Sequence, residues 1–159
     1  GLGQEEAIIQ ALNHSQAPSA VQCVINPLNS AGAIGYVSEA FNPLAILYEC
    51  QQLDIPILAI RAVQAGALTS SMDRPPHESG FDKTDFDDFD KAEPFRDLAI
   101  EWGESPASLA HRYALSIKGV ASVILGVKNR TELKECVEAE AKDLLSDSEI
   151  QQIENCLKG

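Results

Sequence analysis

Cations are scarce in this sequence. Lysine and arginine number 12 against 24 aspartates and glutamates, for a net charge of −12 and a pI near 4.5. Nucleic-acid binding needs Lys and Arg clustered over a broad face to neutralise phosphate, so this balance argues against a nucleic-acid partner. An acidic surface of this kind chiefly confers solubility. No apolar run approaches the roughly 20 residues of a membrane span, and no membrane partner is expected. The first residues, GLGQEEAIIQAL, carry carboxylates where a secretory leader would be basic, so no signal peptide is expected. Cys23, Cys50, Cys136 and Cys156 form no C-x-x-C pair and have no zinc-ligand spacing to His14, His77 or His111. That excludes a recognisable metal site and points to buried structural thiols in a reducing, cytoplasmic compartment.

What is present centres on Val120 to Leu133, VASVILGVKNRTEL. Val120 to Leu125 is a short β-branched run between Gly119 and Gly126, the pattern of a buried strand in a parallel sheet. Gly126 then opens a turn. Asn129 with Glu132 three residues on has the spacing of a capping box that starts a helix. A strand running through a glycine turn into a helix start leaves backbone N–H groups and a positive dipole end. With Lys128 and Arg130 beside them, the spacing suits either an anion pocket or a solvated helix start.

Upstream, Gln4 to Asn13 has helical spacing, with Ala7, Ile8, Ala11 and Leu12 on one face. Ala20 to Ile25 is a short apolar strand. Asn42 and Pro43 are the cap and first turn of a helix whose core stripe is Ile46, Leu47, Cys50 and Leu53. Ile55 to Ile60 is a second apolar strand, followed by Arg61 and small residues to Leu68. A charge and small residues at the carboxyl end of a buried strand mark the usual ligand end of an α/β fold. Thr69 to Lys91 is a long irregular segment with an acidic-aromatic run, FDKTDFDDFD, fitting a functional lid or a mobile loop. Helices are expected over Glu93 to Trp102, from Ser105-Pro106 with Leu109, Ala110, Tyr113 and Ile117 inward, and over Thr131 to Lys142 with Leu133, Cys136 and Val137 inward. A closing helix follows a Ser146–Glu149 capping box. The fold class is therefore α/β: three parallel strands with covering helices. Such a sheet is incomplete as a free domain.

These segments resemble the C-terminal half of an aldo-keto reductase, a family of (β/α)8 TIM barrels that use NADPH. AVQCVIN (20–26) resembles the sixth strand, and IPILAIRAVQAGALT (55–69) the seventh strand and its loop. SPASLAHRYALSIKGVASVILGVKNRTELKECV (105–137) resembles the seventh helix, eighth strand and eighth helix. The resemblance implies that residues 1–159 are a partial, incomplete barrel. It would run from the end of strand five, at Gly1 to Gly3, through helix eight, with 69–91 as a long loop within it.

The resemblance also implies roles. Gln22 would hydrogen-bond the nicotinamide carboxamide and Ile60 would press on the nicotinamide ring. Arg61, Ala62, Val63, Ala65, Gly66 and Leu68 would line the pyrophosphate, with backbone N–H groups as the main donors. Gly126, Val127 and Lys128 would follow strand eight, with Lys128 meeting the adenosine 2′-phosphate of NADP. Glu132, Glu135 and Cys136 would border the adenine. Barrels of this type often hold phosphate after strands seven and eight.

The family's acid–base set of Asp, Tyr, Lys and His lies in the first half of the barrel and has no counterpart here. Tyr36, Tyr48 and Tyr113 are therefore taken as packing residues, His111 as a surface or core residue, and no catalytic residue is assigned. A full barrel takes about 250 residues. The resemblance thus implies an NADP-dependent oxidoreductase that reduces a small-molecule aldehyde or ketone. This chain would supply the cofactor half, would be inactive alone and would partner a missing N-terminal half-barrel. The alternatives are a non-catalytic truncated barrel that binds a nucleotide or a partner, and a small self-contained fold of flavodoxin type.

Overall fold

A computed structural model describes residues 4–34 and 42–158. Gly1 to Gly3, Tyr36 and Phe41 lie outside the described residues. Among those described, seven α-helices and three strands follow in the order α1 (Glu5–Leu12), β1 (Val21–Val24), α2 (Pro43–Leu53), β2 (Ile57–Ile60), α3 (Lys83–Lys91), α4 (Glu93–Glu101), α5 (Pro106–Ser116), β3 (Val120–Val123), α6 (Arg130–Glu140) and α7 (Asp147–Cys156). The strands form one parallel sheet, β1-β2-β3, which does not close. This is the partial-barrel arrangement expected from the sequence.

Local chemistry sets most of the boundaries. The Asn42 side chain accepts the amide of Ala45 (3.3 Å) ahead of Pro43, and Ser105 accepts that of Ser108 (3.1 Å) ahead of Pro106. Each cap satisfies one of the orphan N–H groups of a helix start. Ser146 and Glu149 form the expected reciprocal box. Asp54 ends α2 in the left-handed region at φ 54°, a conformation its short polar side chain tolerates, and the chain enters β2 three residues later.

The core lies on one side of the sheet. Ile57 and Ala59 of the central strand are fully buried and pack with Cys23, Leu12, Ile46, Leu47 and Cys50. A second core around Phe95, Leu109, Tyr113, Leu145 and Ile153 joins α4, α5 and α7 to Leu68. On the other face of the sheet Gln22 and Ser122 are exposed, and Leu58 and Ile60 half-buried.

Four packing expectations are corrected. β3 is not a buried strand: Ala121 and Ser122 are exposed, as are Ile124 and Leu125 just beyond. Among the described residues it is an edge of an open sheet, paired only with β2 and bulged where Leu58 skips to Ser122. On α6, Cys136 and Ala139 are buried, whereas Leu133 (47%) and Val137 (58%) are exposed. Contacts of Glu135 with Ser105 and of Cys136 with His111 turn that helix's polar edge toward α5. Ala7 and Ala11 are exposed and Glu5 is buried in their place. Leu53 and Tyr48 are also exposed. Tyr113 is buried and donates its hydroxyl to Glu154 (3.1 Å), a packing role as expected.

The segment 69–91 is not one long loop. Its last nine residues are α3. The buried stripe of α3 and its cap is carboxylate, Asp82, Asp85 and Asp88, while Phe81 is exposed. Phe86 lies under the Arg74 guanidinium (5.5 Å) and Phe89 under Arg96 (3.8 Å).

The two cores and the corrected face of α6 make contrasting demands. Phe95→Ala is expected to cost about 3–5 kcal/mol in urea unfolding, because a fully enclosed ring leaves a cavity. Leu133→Ala is expected to stay within about 0.5 kcal/mol. A large loss at Leu133 would mean that α6 packs on the face the apolar pattern suggests.

Candidate cofactor site

The C-terminal ends of β2 and β3 open into one cavity of about 550 Å³. Val63, Ala65 and Gly66 line it from the turn after β2, and Gly126, Val127 and Lys128 from the turn after β3. Glu132, Glu135 and Cys136 line it from α6. Thr69 to Ser71, Asp73, Arg74, Ala107 and His111 complete the wall. A larger depression of about 1060 Å³ runs between α2, α5 and α7. It borders the end of β1 alone and has a rim of balanced acids and lysines.

Five of the expected site residues do not line this cavity. Gln22 and Ile60 share the sheet face away from the helices, in register with Leu58 and Val24. Ala62 and Leu68 are in the two cores. Arg61, at φ 57°, turns into a buried polar network. Its Nε donates to Gln64 Oε1 (2.7 Å) and its Nη2 to Asp85 Oδ1 (3.2 Å). Burial lowers the Arg61 pKa from its usual value, and Asp85 and Asp88 oppose that shift. Gln64 in turn donates to Asp88 (2.7 Å), which also accepts the Ser30 hydroxyl (2.5 Å).

The glycine at 32 is dictated by this network. At φ +57° its missing Cβ would stand 1.9 Å from Asp85 Oδ1 and 2.3 Å from Gln64 Nε2. A side chain there would displace the buried pair itself.

Some of the amides expected as donors at the two turns are engaged within the chain. After β2 the chain coils on itself, with Arg61, Gln64, Ala65 and Gly66 all at positive φ. The amides of Gln64, Gly66, Ala67, Leu68 and Thr69 are spent on carbonyls of the same turn. After β3, Asn129 Oδ1 takes the amides of Thr131 (2.9 Å) and Glu132 (3.0 Å), and Glu132 reaches back to the amide of Lys128 (2.7 Å). The box thus closes one residue before the cap. Many of the donors in both turns are thus engaged locally, and the cations that line this cavity are side chains.

Two cations line the cavity. Lys128 is paired with Asp73 across its mouth. Arg74 is gripped by Asp85 (2.8 Å) and lies near Asp82 (3.6 Å), and it donates to the Ala65 carbonyl (2.9 Å). Neither Arg74 nor Asp85 carries a motif. The signal that could have found them is the i, i+3 spacing of Asp82, Asp85 and Asp88.

Cys136 Sγ lies 3.2 Å from His111 Nε2, and His111 Nδ1 is buried without a hydrogen-bond partner among the described residues. Burial pushes the Cys136 thiol up and the His111 pKa down. A thiolate nucleophile is therefore not what this pair provides. All four cysteines are free, with Cys23 pushed up by burial to about 12. Among the described residues no group of His, Cys, Asp and Glu could hold a metal ion, and no helix is long and apolar enough to cross a membrane.

The family model for the aldo/keto reductase family matches residues 5–158. Among curated proteins none matches. One similar solved structure is that of a glycerol dehydrogenase from Gluconobacter oxydans, with a TM-score of 0.63 and 20% identity. That match covers 87% of this chain and 42% of the other, so the chain spans under half of that protein's length.

The buried imidazole makes stability pH-dependent. Its folded pKa is depressed below 6.5, so the unfolded chain takes up a proton first as pH falls. The stability is fully present above about pH 6.5 and is lost on the way down through the folded pKa. Between about pH 7.5 and 5.5, the Tm of the protein is expected to fall more steeply than that of His111→Leu. Parallel slopes would show that His111 titrates alike in both states.

Proposed function

The chain belongs to the aldo/keto reductase family, and from that premise we propose that it is the cofactor-holding half of a nicotinamide-dependent oxidoreductase that reduces aldehydes or ketones, with NADP as the cofactor. The observation that carries this reading is the cavity. Two segments distant in sequence, 63–66 and 126–136, converge at the carboxyl ends of two parallel strands. That is where barrels of this architecture bind phosphate.

The residues suit the group. Half-buried Glu132 and Glu135, with buried Cys136, form a wall that fits the amino edge and ring of adenine. Lys128 is the cation for the 2′-phosphate. Its partner Asp73 is exposed and exchangeable, so a phosphate competes for the ammonium at small cost. The bound cofactor would supply the hydride. Gln22 and Ile60, on the sheet face away from the helices, would meet its nicotinamide end, and the acid–base groups would come from a preceding half-barrel. On this reading residues 1–159 run from the end of strand five to helix eight. The partners are a small carbonyl substrate and that half-barrel, and the compartment is the cytoplasm.

A non-catalytic role as a nucleotide-binding truncated barrel is the second reading. Its support is that among the described residues no tyrosine lines the cavity and the lysine that does, Lys128, is paired with Asp73.

Two measurements test the proposal. The 159-residue polypeptide alone is expected to show no NADPH-dependent carbonyl reduction, and turnover by it would end the half-barrel reading. In the protein at its natural length, Lys128→Ala is expected to raise KM for NADPH about fivefold, the scale of one exposed charge pair, and to leave KM for NADH nearly unchanged. Equal effects on both would remove the 2′-phosphate role.

A further inference from the structure

We infer that Arg74 is the side chain that binds the cofactor's diphosphate, and that the buried carboxylates of α3 hold it in place to do so. The inference rests on the nucleotide-binding reading and deepens it.

A diphosphate brings negative charge into a cavity that already contains Asp73, Glu132 and Glu135. It therefore needs donors, cationic ones above all. Much of the nearby backbone is already engaged. The turn after β2 has spent the amides of Gln64, Gly66, Ala67, Leu68 and Thr69 internally, and the start of α6 has spent those of Lys128, Thr131 and Glu132 on its own cap. Of the two cations in the wall, Lys128 belongs to the turn after β3, with the adenine-side residues. Arg74 lies against the turn after β2, its Nη1 on the carbonyl of Ala65. Arg61 cannot take this part, because its guanidinium is buried against Gln64 and Asp85 and does not line the cavity.

The guanidinium of Arg74 is fixed from several sides. Asp85 Oδ2 holds Nη2 at 2.8 Å, Asp82 lies 3.6 Å from Nε and the Phe86 ring supports its face at 5.5 Å. Each Nη nitrogen has one proton committed and one left over, the fork that suits two phosphate oxygens. The side chain is one-third exposed, so a ligand reaches it without unfolding the wall. Asp85 acts through Arg74. Its other oxygen holds Arg61 (3.2 Å) and the amide of Ala33 (3.0 Å), so the position of Arg74 is tied to the turns after both β1 and β2.

Fragments of the cofactor separate the two cations. ADP carries the diphosphate without the 2′-phosphate, and adenosine 2′-monophosphate carries the reverse. With the protein at its natural length, calorimetric titration of Arg74→Ala is expected to show ADP weakened about tenfold and adenosine 2′-monophosphate changed less than about twofold. Lys128→Ala is expected to show the opposite pattern. Arg74→Lys keeps the charge but loses the fork, and is expected to bind ADP with intermediate affinity. Retained binding of adenosine 2′-monophosphate shows that the variant is folded. Unchanged ADP affinity in a folded Arg74→Ala overturns the assignment and leaves the nucleotide reading intact. Failure of the unsubstituted protein to bind either fragment overturns the nucleotide reading itself.

Discussion

The carboxylate of Asp85 is the constraint on which the ligand end of this fold depends. It is buried on α3, yet it accepts from Arg61 at the end of β2, from Arg74 in the loop beside the cavity and from the Ala33 amide in the turn after β1. A buried carboxylate is tolerated only when its charge is paired and its lone pairs are satisfied, and here three chain segments must meet to do both. Removing one partner would strand the others, so these turns stand or fall as a unit. The sheet supplies the platform, but this charge fixes where the loops at its end come to rest.

That device has a consequence for chemistry. In a turn with unspent amides, the backbone itself would cradle an anion. Here the turn after β2 is coiled through consecutive positive-φ residues, and the amides of Gln64 and of Gly66 to Thr69 close on its own carbonyls. The backbone conformation is costly for Arg61, Gln64 and Ala65, and the network around Asp85 and Asp88 holds it in place. The cations at this cavity are side chains, Lys128 on one turn and Arg74 beside the other. The cavity is therefore shaped by backbone and charged by residues held from outside it.

Much of the fold was legible in the sequence because its signals are local. Ala20–Ile25, Ile55–Ile60 and Val120–Leu125 announced three strands through β-branched runs, and Asn42-Pro43, Ser105-Pro106 and Ser146–Glu149 announced helix starts through caps that form within four residues. The convergence of Val63 to Gly66 with Gly126 to Cys136 came from the family resemblance. The missed parts share one cause. The inward stripe of α3 is charged, so a search for apolar periodicity passes over it. On α6 the apolar pair Leu133 and Val137 faces out because a glutamate and a cysteine are drawn to Ser105 and His111 on another helix.

By itself the sequence determined where strands and helices begin, that the strands run parallel beneath helices, and that the chain belongs to the barrel family. The first two follow from hydrogen bonds and periodicities that span a few residues, the third from the resemblance of much longer segments. Only the tertiary structure decided which face of each element is inside, that β3 is an exposed edge, and that Asp82, Asp85 and Asp88 are buried. It also decided that Arg61 leaves the cavity while Arg74 lines it. Those outcomes depend on pairing charges and donors that lie tens of residues apart, and burial raises the strength of that pairing while forbidding any group to be left out.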